Sequence, residues 1–106
     1  MIALVVVDAE NVRRSLWPNL SREELVRRAR DWAAREGHDL LIVFDGPGPE
    51  EAPDLVSSRY ADDEIVRLAE ESQGPLWVVT SDRGLRARLA GHADRVVGGG
   101  TFARSL

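Results

Sequence analysis

The chain has 106 residues, 43% of them hydrophobic, and 14 basic against 18 acidic side chains give a formal net charge of −4. That length suits one domain able to bury a core without disulfides or a structural metal. There is no cysteine, and the only histidines are His38 and His92, so thiol catalysis, disulfides and cysteine-type zinc sites are excluded. A bound metal would need oxygen ligands, which points to Mg²⁺ or Mn²⁺. Every basic residue is arginine, which closes any mechanism that needs a lysine. The negative balance argues against loose electrostatic binding of nucleic acid. No apolar run approaches the ~20 residues of a membrane span. The apolar start lacks the charged leader and cleavage site of a signal peptide, so the expected location is cytoplasmic, away from membranes.

Residues 2–7 (IALVVV) form an unbroken apolar run ending at Asp8, the pattern of a strand buried on both faces of a parallel sheet. Residues 9–20 read as a loop with a helical turn near Val12–Leu16, and Trp17 is expected to pack against the core or the loop, with stacking on a base as the alternative. Ser21-Arg22-Glu23-Glu24 is a capping box that opens a helix to about Glu36, with Leu25, Ala29, Trp32 and Ala33 inward and Gly37 as C-cap. Leu40–Phe44 is a second buried strand stopping at Asp45-Gly46. Residues 46–53 are a turn-rich loop, and Asp54–Ser58 suits a short edge strand. A helix from Asp62 to about Gln73 buries Ile65, Leu68 and Ala69. Leu76–Thr80 is a strand, and residues 82–90 form a helix with Leu85 and Leu89 inward. Arg95–Val97 is a last strand, Gly98-Gly99-Gly100 a flexible connector or, alternatively, a place where backbone N–H groups approach a phosphate, and 101–106 a final helical turn. His38 and His92 follow helix ends, where the helix dipole favours them. Strands alternating with helices predict a single α/β domain over residues 1–106. Its parallel sheet should have four or five strands in the order 3-2-1-4-5, with right-handed crossovers.

Active sites of such sheets lie beyond the C-terminal strand ends, where the strand order reverses. Three strands here end in aspartate: Val7-Asp8, Phe44-Asp45 and Thr80-Ser81-Asp82. Asp62-Asp63 opens the helix after the edge strand. Neighbouring strands lie ~4.8 Å apart, so carboxylates at adjacent ends can share one cation and repel each other without it. A cation held there could activate water and grip a phosphodiester. Each aspartate also has a local reading: Asp62 and Asp82 stand where a helix wants an N-cap, and Asp45-Gly46 is a common turn pair. Asp8 has no such reading, since no helix is expected to start behind it. Asp63 and Glu64 suit a helix first turn, and Glu10 is expected to be solvated.

The motifs VVVDAEN (5–11), VFDG (43–46), ADDEI (61–65) and VVTSD (78–82), taken in this order, resemble the NYN branch of the PIN-like nucleases, most of all its YacP-like subgroup. The resemblance implies a PIN-like three-layer sandwich and a Mg²⁺- or Mn²⁺-dependent endoribonuclease. It implies that Asp8 is the central metal ligand, that Asp62 and Asp82 join it in catalysis and metal binding, and that Asp45 is a further ligand. It also implies that Asn11 supports Asp8 or contacts phosphate, and that Ser81 orients its neighbour. Ala9 and Glu10 stand where the YacP-like pattern has glycine and an aromatic residue.

The opening VVVDAENVRRSL also resembles a receiver domain, but a receiver needs a lysine and this chain has none. A haloacid-dehalogenase-type phosphatase would need aspartate where Glu10 stands. A PIN-type toxin nuclease and a catalytically inactive NYN-like module that binds RNA or protein remain as alternatives. Arg13, Arg14, Arg59 and Arg83 flank the acidic edge and suit RNA phosphate, which arginine grips with a bidentate fork. The arginines of the helix 21–36 are expected to be neutralised by the pairs Glu23–Arg27, Glu24–Arg28 and Asp31–Arg35. The expected partner is single-stranded RNA, with a homodimer compatible with this reading.

Overall fold

The five apolar runs make one sheet in the computed structural model, which describes residues 2–106. Its strands are β1 (Leu4–Asp8), β2 (Asp39–Asp45), β3 (Leu55–Ser58), β4 (Leu76–Val79) and β5 (Arg95–Val97). They stand in the order β3-β2-β1-β4-β5, and every neighbouring pair is parallel. This is the order the strand–helix alternation predicts. β1 takes the centre because Val5, Val6 and Val7 need cover on both faces, and all three are fully buried.

The helices are α1 (Ala9–Arg13), α2 (Arg22–Glu36), α3 (Ala61–Glu71), α4 (Arg83–Leu89) and α5 (Gly99–Ser105). They divide between the two faces by the two-residue period of the strands. Val5, Val7, Ile42 and Phe44 pack with α1, α2 and α5, whereas Val6, Val43 and Val78 pack with α3 and α4. The result is three layers. Each fully buried Leu, Ile, Val or Phe side chain contributes ~1.5–3 kcal/mol of transfer free energy.

The capping box at Ser21 forms one of its two bonds: Ser21 Oγ accepts from the Glu24 N–H at 3.0 Å. The Glu24 carboxylate turns instead to Arg27 and Arg28. Gly37 closes α2 at φ 72°, a left-handed conformation that costs glycine nothing.

Four local expectations are corrected. The segment after β1 is a helix from Ala9, because Ala9 and Val12 sit three apart and are both buried against α2 and α5; Asp8 therefore does stand at an N-cap position, although its side chain makes no capping bond. α3 begins at Ala61, so Asp62 is its second residue and not its cap; Tyr60 holds the cap position without a side-chain bond. Gly99 and Gly100 belong to α5, and Gly99 is buried in it rather than serving as a flexible connector. Trp17 is 89% exposed and so lies outside the core.

On α2, the Glu24 pairs with Arg27 and Arg28 form, but Arg30 reaches out to Asp54 and Glu50. Among the described residues the pairs Glu23–Arg27 and Asp31–Arg35 are not made. His38 serves packing: its Nδ1 accepts from the Ala3 N–H at 3.0 Å, and its ring lies against Trp32 and Trp77. Among the described residues, no helix is long and apolar enough to cross a membrane.

Candidate active site

The strand order reverses between β1 and β4, so Asp8 at the end of β1 faces the segment Thr80-Ser81-Asp82 that follows β4. Among the described residues, Asp8 and Thr80 are the buried polar side chains, at 8% and 0% exposure. The Thr80 hydroxyl donates to Asp8 Oδ2 at 2.9 Å and accepts from the Asp82 N–H at 3.2 Å. One threonine thus ties both aspartates to the sheet edge. Asp82 caps α4, its Oδ1 accepting from the Leu85 N–H at 2.8 Å, which is the local role its position predicts.

A second latch lies beside the first. Asn11 Oδ1 accepts from the Ser81 N–H at 2.9 Å, and Ser81 Oγ accepts from the Gly99 N–H at 2.7 Å. Ser81 therefore holds the start of α5 and the Asn11 side chain, rather than orienting Asp82. A methyl group on the Gly99 Cα would overlap Asn11 Oδ1, so a larger residue here would have to displace that side chain.

These groups open into a cleft of about 920 Å³. Its walls carry Asp8, Asp45, Asp62, Asp63 and Asp82 together with Asn11, Ser81, Arg14 and Arg59. Eight of the ten residues singled out from sequence meet there: Asp8, Asp45, Asp62, Asp82, Asn11, Ser81, Arg14 and Arg59. Arg13 and Arg83 do not line it. Arg13 is one helical turn from buried Ala9 and its side chain is 16% exposed, turned toward Glu10. Arg83 stands two residues, about 200° of helix, from Leu85, and Leu85 is the residue α4 buries, so Arg83 faces solvent.

The cleft also holds Glu10, Tyr60 and Arg88, none of which sequence reasoning placed there. Glu10 is not solvated: its side chain is 15% exposed and paired with Arg13, Arg14 and Arg22. Tyr60 is 66% exposed. Arg88 binds Asp63 at 2.8 Å. Only the exposed aromatic type of Tyr60, next to Arg59 and the acidic ADDE run, gave any signal in the sequence.

Burial pushes the Asp8 carboxyl up to about 6; the Thr80 bond pulls it partly back, and the charges of Asp62 and, more weakly, Asp82 push it up. Asp62 is raised too, by desolvation first and then by Asp82, while Arg88 opposes the rise. The carboxylates therefore act on one another through the cleft. Among the described residues, however, no three Asp, Glu or His side chains converge closely enough to ring a metal ion.

Fold and site together define a doubly wound α/β domain with an acidic cleft at its topological switch point. A crystal structure of a mutant of Rae1 (YacP) from Bacillus subtilis has the same fold, with a TM-score of 0.79 and 18% sequence identity, covering 97% of this chain and 74% of that one. No family model matches the chain, and no curated protein matches it.

Proposed function

We propose that the cleft cleaves phosphodiester bonds of single-stranded RNA with the help of Mg²⁺ or Mn²⁺. The observation that carries this reading is a buried aspartate at the switch point, held by Thr80 and repelled by two neighbouring carboxylates. Burying such a charge costs free energy unless something compensates it, and a divalent cation would. The donor set fits: it is all oxygen, and Mg²⁺ takes one or two carboxylates and keeps several waters, so three converging side chains are not required. The fold shared with a protein of the YacP name and the ordered motifs that resemble that subgroup support the same reading.

In this mechanism Asp8 would be the principal ligand, and Asp62, Asp82 and Asp45 would assist in holding the cation. When bound, the cation supplies Lewis-acid stabilisation of the charge that develops on the phosphoryl oxygens. Thr80 holds Asp8 and Asp82 in fixed relation. Asn11 and Ser81 keep α1, α4 and α5 in register around the reacting phosphate. Arg14 and Arg59 bind the RNA backbone, and Tyr60 offers a face on which a base can stack.

A second reading keeps the same cleft as a binding module without catalysis. Incubating the protein with labelled single-stranded RNA in Mn²⁺ and in EDTA separates the two. The cleavage reading expects scission in Mn²⁺ that stops in EDTA and in Asp8→Asn. RNA bound by the wild type but left intact in Mn²⁺ would establish the second reading instead.

A further inference from the structure

Two residues beyond Asp8, Glu10 gathers three guanidinium groups: Arg13 at 3.4 Å, Arg14 at 3.5 Å and Arg22 at 3.3 Å. One carboxylate against three arginines leaves two positive charges in excess, at the rim of a cleft that is otherwise acidic. The bonding is also incomplete. Glu10 Oε2 and Arg13 Nε are buried without a hydrogen-bond partner, and of the three arginines only Arg22 makes a hydrogen bond to Glu10. Arg27, by contrast, bonds both Glu24 oxygens, at 3.0 and 2.9 Å. Glu10 therefore gathers its arginines by charge while leaving most of their N–H donors unused. Arg14 and Arg22 are 68% and 44% exposed, so those donors reach solvent.

From this we infer that Arg14 and Arg22, positioned by Glu10 and backed by the buried charge of Arg13, form a subsite for an RNA backbone phosphate flanking the one in the acidic cleft. The inference rests on the RNA reading above and adds Glu10 and Arg22 to it. Planar guanidinium groups with free N–H pairs match phosphate oxygens bidentately. A phosphodiester within the strand suits the cluster better than a terminal phosphate. Arg14 lines the cleft and Arg22 does not, so the pair leads outward along the surface, on the path of a strand that continues past the point of reaction.

The test is equilibrium binding of a fluorescent single-stranded oligoribonucleotide in EDTA, where cleavage plays no part. Arg14→Ala and Arg22→Ala are each expected to weaken binding by about tenfold, the range of a hydrogen-bonded charged contact. Each should also flatten the salt dependence, by about 0.7 in the slope of log K against log salt. The losses should be equal for 5′-hydroxyl and 5′-phosphate oligonucleotides. The double variant Arg27→Ala/Arg28→Ala should leave the slope unchanged. Glu10→Gln separates positioning from charge: it adds net positive charge, yet binding should weaken because the arginines lose their anchor. An unchanged slope in Arg14→Ala/Arg22→Ala, with a melting curve showing the variant folded, would overturn the subsite. So would a loss confined to 5′-phosphate RNA, or tighter binding by Glu10→Gln. A protein that shows these binding changes but never cleaves would retain the subsite and lose the catalytic reading.

Discussion

Asp8→Asn changes a buried carboxylate into an amide of nearly the same shape, whose oxygen can still accept the Thr80 hydroxyl. In the folded chain burial above all, with repulsion from Asp62 and Asp82, raises Asp8 from 3.8 to about 6 even after the Thr80 bond has opposed the rise. A pKa unit corresponds to ~1.4 kcal/mol, so keeping Asp8 ionised at neutral pH costs the metal-free fold about 3 kcal/mol. The sign follows from proton binding. Between about pH 4 and pH 6 the folded state holds a proton that the unfolded state has released, so the Asp8 contribution to stability falls as pH rises through that window. The Asn variant lacks that slope. In EDTA it should match the wild type near pH 4 and exceed it by about 2–3 kcal/mol at pH 7, a gain of roughly 8–12 °C in Tm. Urea unfolding at stepped pH reads the free energies, and thermal unfolding reads the Tm. Divalent cation should reverse the order at pH 7, because Mn²⁺ bound only to the folded wild type raises its Tm and leaves the variant unmoved. An Asn variant less stable than wild type at pH 7 in EDTA would refute the argument that a costly buried charge sits at this position. Equal responses of the two proteins to Mn²⁺ would refute the metal site.

Three further outcomes are expected. Asp82→Asn keeps the bond from the Leu85 N–H, since Asn caps about as well as Asp; stability without metal should hold while RNA cleavage falls by orders of magnitude. Near wild-type cleavage in Mn²⁺ would leave Asp82 as a cap alone. Gly99→Ala would push its methyl group into Asn11 Oδ1, and the displaced Asn11 would release the Ser81 N–H. A loss of ~1–3 kcal/mol in thermal unfolding is expected, together with weaker activity; an unchanged Tm would show that the latch relaxes freely. Tyr60→Ala should weaken single-stranded RNA binding by about tenfold, the scale of one lost base stack, with little change in Tm because the side chain is exposed. Undiminished affinity would remove Tyr60 from the RNA path.

What could be read along the chain was whatever depends on neighbours in sequence. The run at 2–7 has no polar break, so it must be a strand covered on both faces, and Val5, Val6 and Val7 are. Asp82 precedes a helix with Leu85 and Leu89 on one side, so its capping role was visible too. Because strands and helices alternate, the aspartates at strand ends had to share one edge of the sheet, and Asp8, Asp45 and Asp82 do line one cleft. What remained hidden are pairings across long separations, whose partners are chosen by sheet register and by the angle at which helices pack. Thr80 meets Asp8 across 72 residues because β4 lies beside β1, and nothing near either residue announces it. Arg22 reads locally as the start of a helix with its own acids, yet it turns back to Glu10 because α2 packs against α1. Arg88 joins Asp63 because α3 and α4 cover the same face. The types and positions of the acids were thus local properties of the sequence. Which of them is buried, repelled or compensated depended on the surrounding chain, because desolvation and Coulomb forces act through space and not along the backbone.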